Sequence, residues 1–481
     1  MIRKNAWTLY DLETQKKCDK FAEEYKSFLS LCKTERECID FFVNEAEKAD
    51  YKELDTLIQK KTKLKAGDKV YAVQMGKSMV LFRIGKRPIE EGINILGAHI
   101  DSPRMDVKQN PLYENSDLAY LDTHYYGGIK KYLYVTMPLA LHGVIVKKDG
   151  STVVLNVGED EDDPVFFVSD LLIHLSQEQM QKKASEVVLG EALDIIIGNK
   201  PVIIDAKRKA GKAGSVDEED KAYKKLNTKK AILAILKEMY GIDEEDFESA
   251  ELEVVPAGKA RDAGFDRSMI LGYGQDDRVC AYPSFRAIVD EKAIPERTSV
   301  TLLVDKEEIG SVGATGMHSK FFENALAEVM NLAGQYKNEL GLRRALANSK
   351  MLSSDVSSGF DPTYARSFDK KNVSYLGRGL VFNKFTGSRG KSGSNDANAE
   401  YIAHLRGIFE KANVQTQTAE LGRVDLGGGG TIAYILANYG MDVIDSGIAV
   451  LNMHAPWEAT SKADIYEALK GYKAFLKHAG C

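Results

Sequence analysis

Apolar and polar positions along this chain follow two periods, and the switch between them divides the sequence. Near the N-terminus, Thr34 and Glu37 form a T-x-x-E capping box ahead of Cys38, Phe41, Phe42 and Ala46, which are spaced for one face of a helix. From Lys69 the texture changes to short strands, and residues 93–101 (INILGAHID) predict a buried strand running into a polar end. Beyond Pro103, short alternating runs rich in Gly, Tyr and β-branched residues, among them 132–135 (YLYV), 143–146 (GVIV) and 152–155 (TVVL), predict antiparallel sheet or barrel. Residues 205–230 carry many charges and little that can pack, which predicts a solvated excursion. Residues 231–236 (AILAIL) then predict a helix with Gly241 as its stop.

From about Gly264 onward helices alternate with apolar strands. Strands are predicted over 299–305 and 448–453, and helices over 318–338, 397–413 and 431–439. Such alternation implies a mixed α/β sheet covered on both faces. The predicted architecture is a discontinuous α/β catalytic domain (1–106 plus 263–481) interrupted by a β-rich insertion over 107–262.

Length and composition narrow the class. With 481 residues the chain exceeds the roughly 250–300 at which one hydrophobic core stops growing, so two domains are expected. Hydrophobic residues at 44% and charged residues at 28% exclude wholesale disorder. A formal net charge of −6 offers no basic field for nucleic acid. No apolar run approaches the roughly 18 residues of a membrane span, and the first residues lack the apolar core of a signal peptide. The five cysteines are scattered, odd in number and without CxxC spacing. Reduced thiols in a cytoplasmic setting are expected, and a thiolate zinc knuckle is not.

Acidic and imidazole groups recur at the polar ends of apolar runs. His99 and Asp101 share one side of a strand, a pattern that suits either a metal ligand with a carboxylate beside it or a hydrogen-bonded structural histidine. Asp276 and Asp277, in the glycine-flanked GQDDR, suit either a solvated turn or a pair of cations bridged by a carboxylate. Glu307 and Glu308 follow the 299–305 run, and are either a surface turn or a ligand next to a general base. Asp355 in SSDV and His454 in NMHAPWE each add one donor after a buried-type run. The combined inventory is that of two zinc ions and a base, and its carboxylate-rich, thiolate-free character would also suit manganese or cobalt. The glycine run 427–430 lacks the P-loop lysine spacing, which argues against a nucleotide site.

The ordered set GAHIDSPR, YGQDDR, DKEEIGS, SSDVSSGFDP and NMHAPWE resembles the M18 aminopeptidases, within the wider group of co-catalytic zinc exopeptidases. The resemblance implies an α/β mixed-sheet zinc-exopeptidase domain that removes N-terminal residues from peptides with water activated by two zinc ions. It implies that His99, Glu308, Asp355 and His454 are ligands, that Asp276 bridges both ions, that Glu307 is the general base and that Asp101 orients His99. It also implies that the insertion makes dimer contacts within a large closed homo-oligomer, a dodecamer being the candidate count, and that His174 on the insertion completes a neighbouring subunit's site. Residues 423–431 would line the substrate pocket. Family members that prefer acidic N-terminal residues are expected to carry a basic pocket residue, but here Asn383 stands in that place with Lys384 one position on, so acidic and neutral preferences both stay open. A deacylase on the same metal scaffold and a non-catalytic shell-forming protein are the competing functions.

Overall fold

The computed structural model describes residues 4–203, 226–388 and 390–480. They divide into two compact units, Met1–Ser102 with Lys259–Cys481, and Pro103–Gly258.

The first unit is built on a nine-stranded sheet. Its strand order is Lys52–Glu53, Lys69–Gln74, Ser78–Arg83, Ser299–Val304, Asn94–His99, Lys350–Ser353, Asp442–Gly447, Leu380–Asn383 and Thr416–Thr418. The four central strands, from Ser299–Val304 to Asp442–Gly447, are parallel to one another. Every residue of Ser299–Val304 and of Asn94–His99 is buried, as expected of strands covered on both faces. Period-two alternation sends neighbours to opposite cores. Ile95, Leu302, Met351 and Val443 pack in one cluster with the helices Phe321–Leu332 and Glu339–Ala347. Leu96, Leu303, Leu352 and Ile444 pack in the other with the helices Leu12–Leu31, Gln275–Val289 and Lys462–His478. Each such side chain contributes about 1.5–3 kcal/mol on burial, so reversing this alternation by one residue would undo both cores at once. The mixed α/β class expected from the alternation is the one observed.

Chain order opens a crevice at one end of this sheet. Asn94–His99 has the later strands Ser299–Val304 on one side and Lys350–Ser353 on the other. The chain thus reverses its direction of travel across the sheet at this strand, and open α/β sheets form ligand crevices at the C-terminal ends of strands where such a reversal occurs. A five-stranded sheet, Arg261–Ala263, Met269–Gly272, Glu458–Ser461, Ala449–Leu451 and Ser357–Ser358, belongs to the same unit.

Predicted helix starts and lengths hold unevenly. The capping box at Thr34 is formed, with Glu37 reaching back to the cap, and the helix runs Glu35–Lys48. The helix expected over 318–338 is confined to Phe321–Leu332, because Gly334 turns left-handed at φ +69° and Asn338 caps a separate helix, Glu339–Ala347. The one expected over 431–439 is only Ala433–Ala437.

The second unit carries a six-stranded antiparallel sheet ordered Thr152–Val157, Leu139–Val146, Ala250–Pro256, Arg104–Asn115, Leu118–Tyr126 and Ile195–Gly198. The helix Thr228–Tyr240 lays Ile232, Leu233 and Leu236 against its core and stops at Gly241, which is left-handed at φ +67°. Most of the charged stretch expected to be a solvated excursion lies outside the described residues. From Leu226 the chain is instead a short strand, Leu226–Asn227, leading into that helix.

Candidate metal centre

Five segments at the ends of the first unit's strands converge on one acidic cluster. His99 is the last residue of its strand and is fully buried. Its Nδ1 lies 3.1 Å from the Asp101 carbonyl and 3.3 Å from Asp101 Oδ1, which leaves Nε2 facing inward. Asp101 is buried as well, and its two carboxylate oxygens each accept a backbone N–H at 3.2 Å, from Glu307 and from Glu308. One carboxylate thus fixes the ring orientation of His99 and the turn that carries both glutamates. That turn, Glu307–Ile309, is entered through Lys306 at φ +69°.

Asp276 sits at the start of the helix Gln275–Val289, and its two oxygens point to different imidazoles. Oδ1 is 3.2 Å from His99 Nε2, and Oδ2 is 3.3 Å from His454 Nε2. His454 Nε2 is also 3.5 Å from Glu308 Oε2, and His99 Nε2 is 4.0 Å from Asp355 Oδ1. Three sets of donor atoms fall within 4.8 Å of one another: His99, Asp276 and Asp355; His99, Glu307 and Glu308; Asp276, Glu308 and His454. Gly274 turns the chain into this loop at φ +72°, and a Cβ there would lie 2.0 Å from Arg278 Nη1. The buried Arg278 guanidinium donates to the carbonyls of Ile100 and Lys33, pinning the segment that follows His99. Gly447 allows a comparable approach, since a Cβ would collide with the Asp355 carbonyl.

The electrostatics of this cluster call for cations. Burial pushes the Glu307 carboxyl up to about 7, with the charges of Asp101 and Asp276 adding to the shift. Burial also raises Glu308 and Asp355 well above the carboxylate range. For Asp276 burial acts upward, but the two imidazoles outweigh it and hold the group below its ordinary value. Burial would likewise lower His99, yet Asp101 and Asp276 raise it well above a free histidine. Three buried atoms that face the cluster, His99 Nε2, Asp276 Oδ1 and Glu308 Oε1, accept or donate no well-formed hydrogen bond. The short His99–Asp276 approach is therefore proximity without hydrogen-bond alignment. Atoms of this kind are costly unless a further partner satisfies them, and imidazole nitrogen with carboxylate oxygen is a donor set that zinc accepts.

All seven residues predicted for the first unit (His99, Asp101, Asp276, Glu307, Glu308, Asp355 and His454) meet here. His174, the eighth, lies in the second unit, exposed on the short turn Ile173–Leu175 between two exposed apolar neighbours. Three supporting residues escaped the sequence reading: Ser102, whose hydroxyl donates to the Asp276 carbonyl at 2.7 Å, Arg278 and Glu458. They stand inside GAHIDSPR, YGQDDR and NMHAPWE respectively, which was the available signal. Of the segment 423–431, Arg423, Val424, Asp425 and Gly427 line a cavity of about 230 Å³, together with Phe385 and Thr386. Beyond it, the Thr431 hydroxyl donates to the buried Asp445, whose carboxyl burial raises to about 7. Lys384 is exposed and paired with Asp396 at 2.7 Å, whereas Asn383 is buried.

A family model described as aminopeptidase I zinc metalloprotease (M18) matches residues 28–476. A probable M18 family aminopeptidase 1 of Clostridium acetobutylicum is 60% identical over 475 residues, covering 99% of this chain and 98% of that one. The crystal structure of aminopeptidase I from Clostridium acetobutylicum superposes with a TM-score of 0.87 at 56% identity, covering 99% of both chains. That of an M18 family aminopeptidase from Thermotoga maritima gives 0.90 at 40% identity, covering 99% of this chain and 100% of the other. With the family model spanning nearly the whole chain, and relatives this similar matched end to end, the protein belongs to the M18 family of aminopeptidases, hydrolases of the zinc metalloprotease type.

Proposed function

We propose that the enzyme releases the N-terminal residue of peptides at a centre of two zinc ions, one held by His99 and Asp355, the other by His454 and Glu308, with Asp276 bridging them. The observation that carries this reading is the division of Asp276 between two imidazoles, Oδ1 toward His99 and Oδ2 toward His454. A carboxylate so placed suits ions roughly 3.5–4 Å apart. The same donors would accept manganese or cobalt.

Zinc held by these residues would supply Lewis acidity for the scissile carbonyl and for the attacking water. Glu307, placed beside these donors on the turn that Asp101 anchors, takes the proton from the attacking water and passes it to the leaving amine. Asp101 keeps His99 in the tautomer that presents Nε2 and anchors the Glu307 turn. For the departing residue we favour a neutral or apolar side chain over aspartate or glutamate, because Lys384 is exposed and already neutralised by Asp396. The insertion is proposed to build a large homo-oligomer, and His174 to reach the site of a neighbouring subunit. The yeast aminopeptidase 1, a structural relative at 20% identity, has been solved as a dodecamer, which makes that count the one to test.

The test is a panel of aminoacyl-p-nitroanilides on chelated enzyme reloaded with zinc, manganese or cobalt. Activity should vanish on chelation and return with metal, leucyl or alanyl substrates should exceed aspartyl, and acetyl-blocked substrates should be inert. Hydrolysis of blocked substrates would favour the deacylase reading. Full activity after verified metal removal would sink the proposal.

A further inference from the structure

Glu458 lies outside all three donor sets, yet it is tied to two of the residues proposed to hold metal. Its side chain is buried at 1% exposure. Oε2 accepts the backbone N–H of Asp276 at 3.1 Å, and Oε1 accepts the backbone N–H of His454 at 2.8 Å. The main chain of Glu458 joins the same two loops a second time. It pairs with Gly272 in the ladder between Met269–Gly272 and Glu458–Ser461, and its carbonyl accepts Gln275 Nε2 at 2.7 Å. His454 moreover sits at φ +64°, a left-handed conformation that a non-glycine residue holds only when its surroundings fix it.

We infer that Glu458 is a positioning residue that sets the separation of Asp276 and His454, so that one half of the metal centre is assembled before metal arrives. The inference rests on the metal-site reading above. The carboxylate acts through backbone: each of its oxygens accepts an N–H group, and it belongs to none of the donor sets. The two amides belong to residues 178 positions apart in sequence whose side chains meet at 3.3 Å. A single rigid acceptor is the shortest link that can hold them in register. Groups that orient metal ligands in this way typically account for about 10–100-fold in metal affinity. A glutamine in the same place keeps the shape but has one acceptor oxygen, and its NH₂ would oppose whichever backbone N–H the oxygen does not serve.

The experiment is a zinc titration of chelated, full-length protein against a chromophoric chelator, for the wild type, Glu458→Gln and a control, Asp464→Asn. Asp464 is also a buried carboxylate that accepts two backbone N–H groups, from Gly377 at 2.7 Å and Gly379 at 2.6 Å, but neither residue belongs to the donor cluster. Glu458→Gln should lose about 10–100-fold in zinc affinity, whereas Asp464→Asn should lower only the melting temperature. Equal zinc affinity in wild type and Glu458→Gln would overturn the inference and leave the metal site standing. A wild type that binds no zinc would overturn the site reading, and this inference with it. Hydrogen exchange on zinc-free wild-type protein serves if Glu458→Gln does not fold. Slow exchange at the amides of Asp276 and His454 is expected, and free exchange at both would overturn preassembly.

Discussion

Glu307 and Asp276 stand close together but would fail in different ways if replaced. In the proposed mechanism Glu307 moves a proton and holds no ion that the other donors cannot hold. Glu307→Gln should therefore keep zinc and fold while kcat falls about 10²–10⁴-fold, the usual contribution of a positioned proton acceptor. Turnover near that of the wild type, in protein verified to contain zinc, would remove Glu307 from the role. Asp276 is the shared donor, with one oxygen directed to each imidazole. Asp276→Ala should lower metal content itself, read by elemental analysis of the purified protein. Two ions retained per chain would rule out bridging.

At the scale of elements, the ends of helices are held by charge as well as by packing. Lys462 opens the helix Lys462–His478 and is almost fully buried, with Asp262 Oδ1 at 3.0 Å. The same oxygen takes Lys26 of the helix Leu12–Leu31 at 2.8 Å, so Asp262 ties two helices to the strand Arg261–Ala263. Burial alone would raise the Asp262 carboxyl, but the two lysines outweigh it and hold it below its ordinary value. A lowered folded-state pKa means that the stabilisation is fully present above the unfolded value of about 3.9 and is lost as pH falls through the folded one. At 17% exposure the Asp262 side chain is only lightly screened by solvent. Asp262→Asn should therefore cost about 1–3 kcal/mol at neutral pH. Urea unfolding of both proteins at decreasing pH should show that gap closing below about pH 4. A gap that stays constant into strong acid would show that the carboxylate's charge is not what stabilises.

At the scale of the whole molecule, the second unit exposes a run of large apolar side chains, a kind of surface that marks interfaces when contiguous. Leu172, Ile173 and Leu175 are each more than half exposed, as are Met180 and Leu189. Light scattering of the native protein should report a large homo-oligomer, and an active monomer would contradict the proposed assembly. His174 lies within this apolar stretch. An imidazole that donates to the reacting oxygen across a subunit boundary would be worth about 10²–10³ in turnover. His174→Ala should therefore be assembled, metal-loaded and slow. Mixed with Glu307→Gln subunits it should regain part of the activity, because some interfaces then pair an intact Glu307 with a neighbour's intact His174. No recovery in samples with demonstrated subunit exchange would exclude that role.

What the sequence determined by itself was local: period, caps and the order of motifs. The apolar run in 93–101 was enough to find the strand Asn94–His99, because a strand buried on both faces must be apolar along its length. Thr34 and Glu37 located a helix start because a capping box is completed within four residues. The polar strand ends were legible for the same reason, as charge following a buried run is conspicuous wherever the chain later goes. Tertiary structure decided what the sequence leaves open, namely which distant groups share a partner. Nothing near Glu458 in sequence announces that its carboxylate will hold the amides of both Asp276 and His454. Likewise, nothing within residues 431–439 shows that Thr431 will turn its hydroxyl to Asp445 while the helix is reduced to Ala433–Ala437. Periodicity reports which face of an element is buried. The partner on that face is chosen by the packing of segments far apart in the chain.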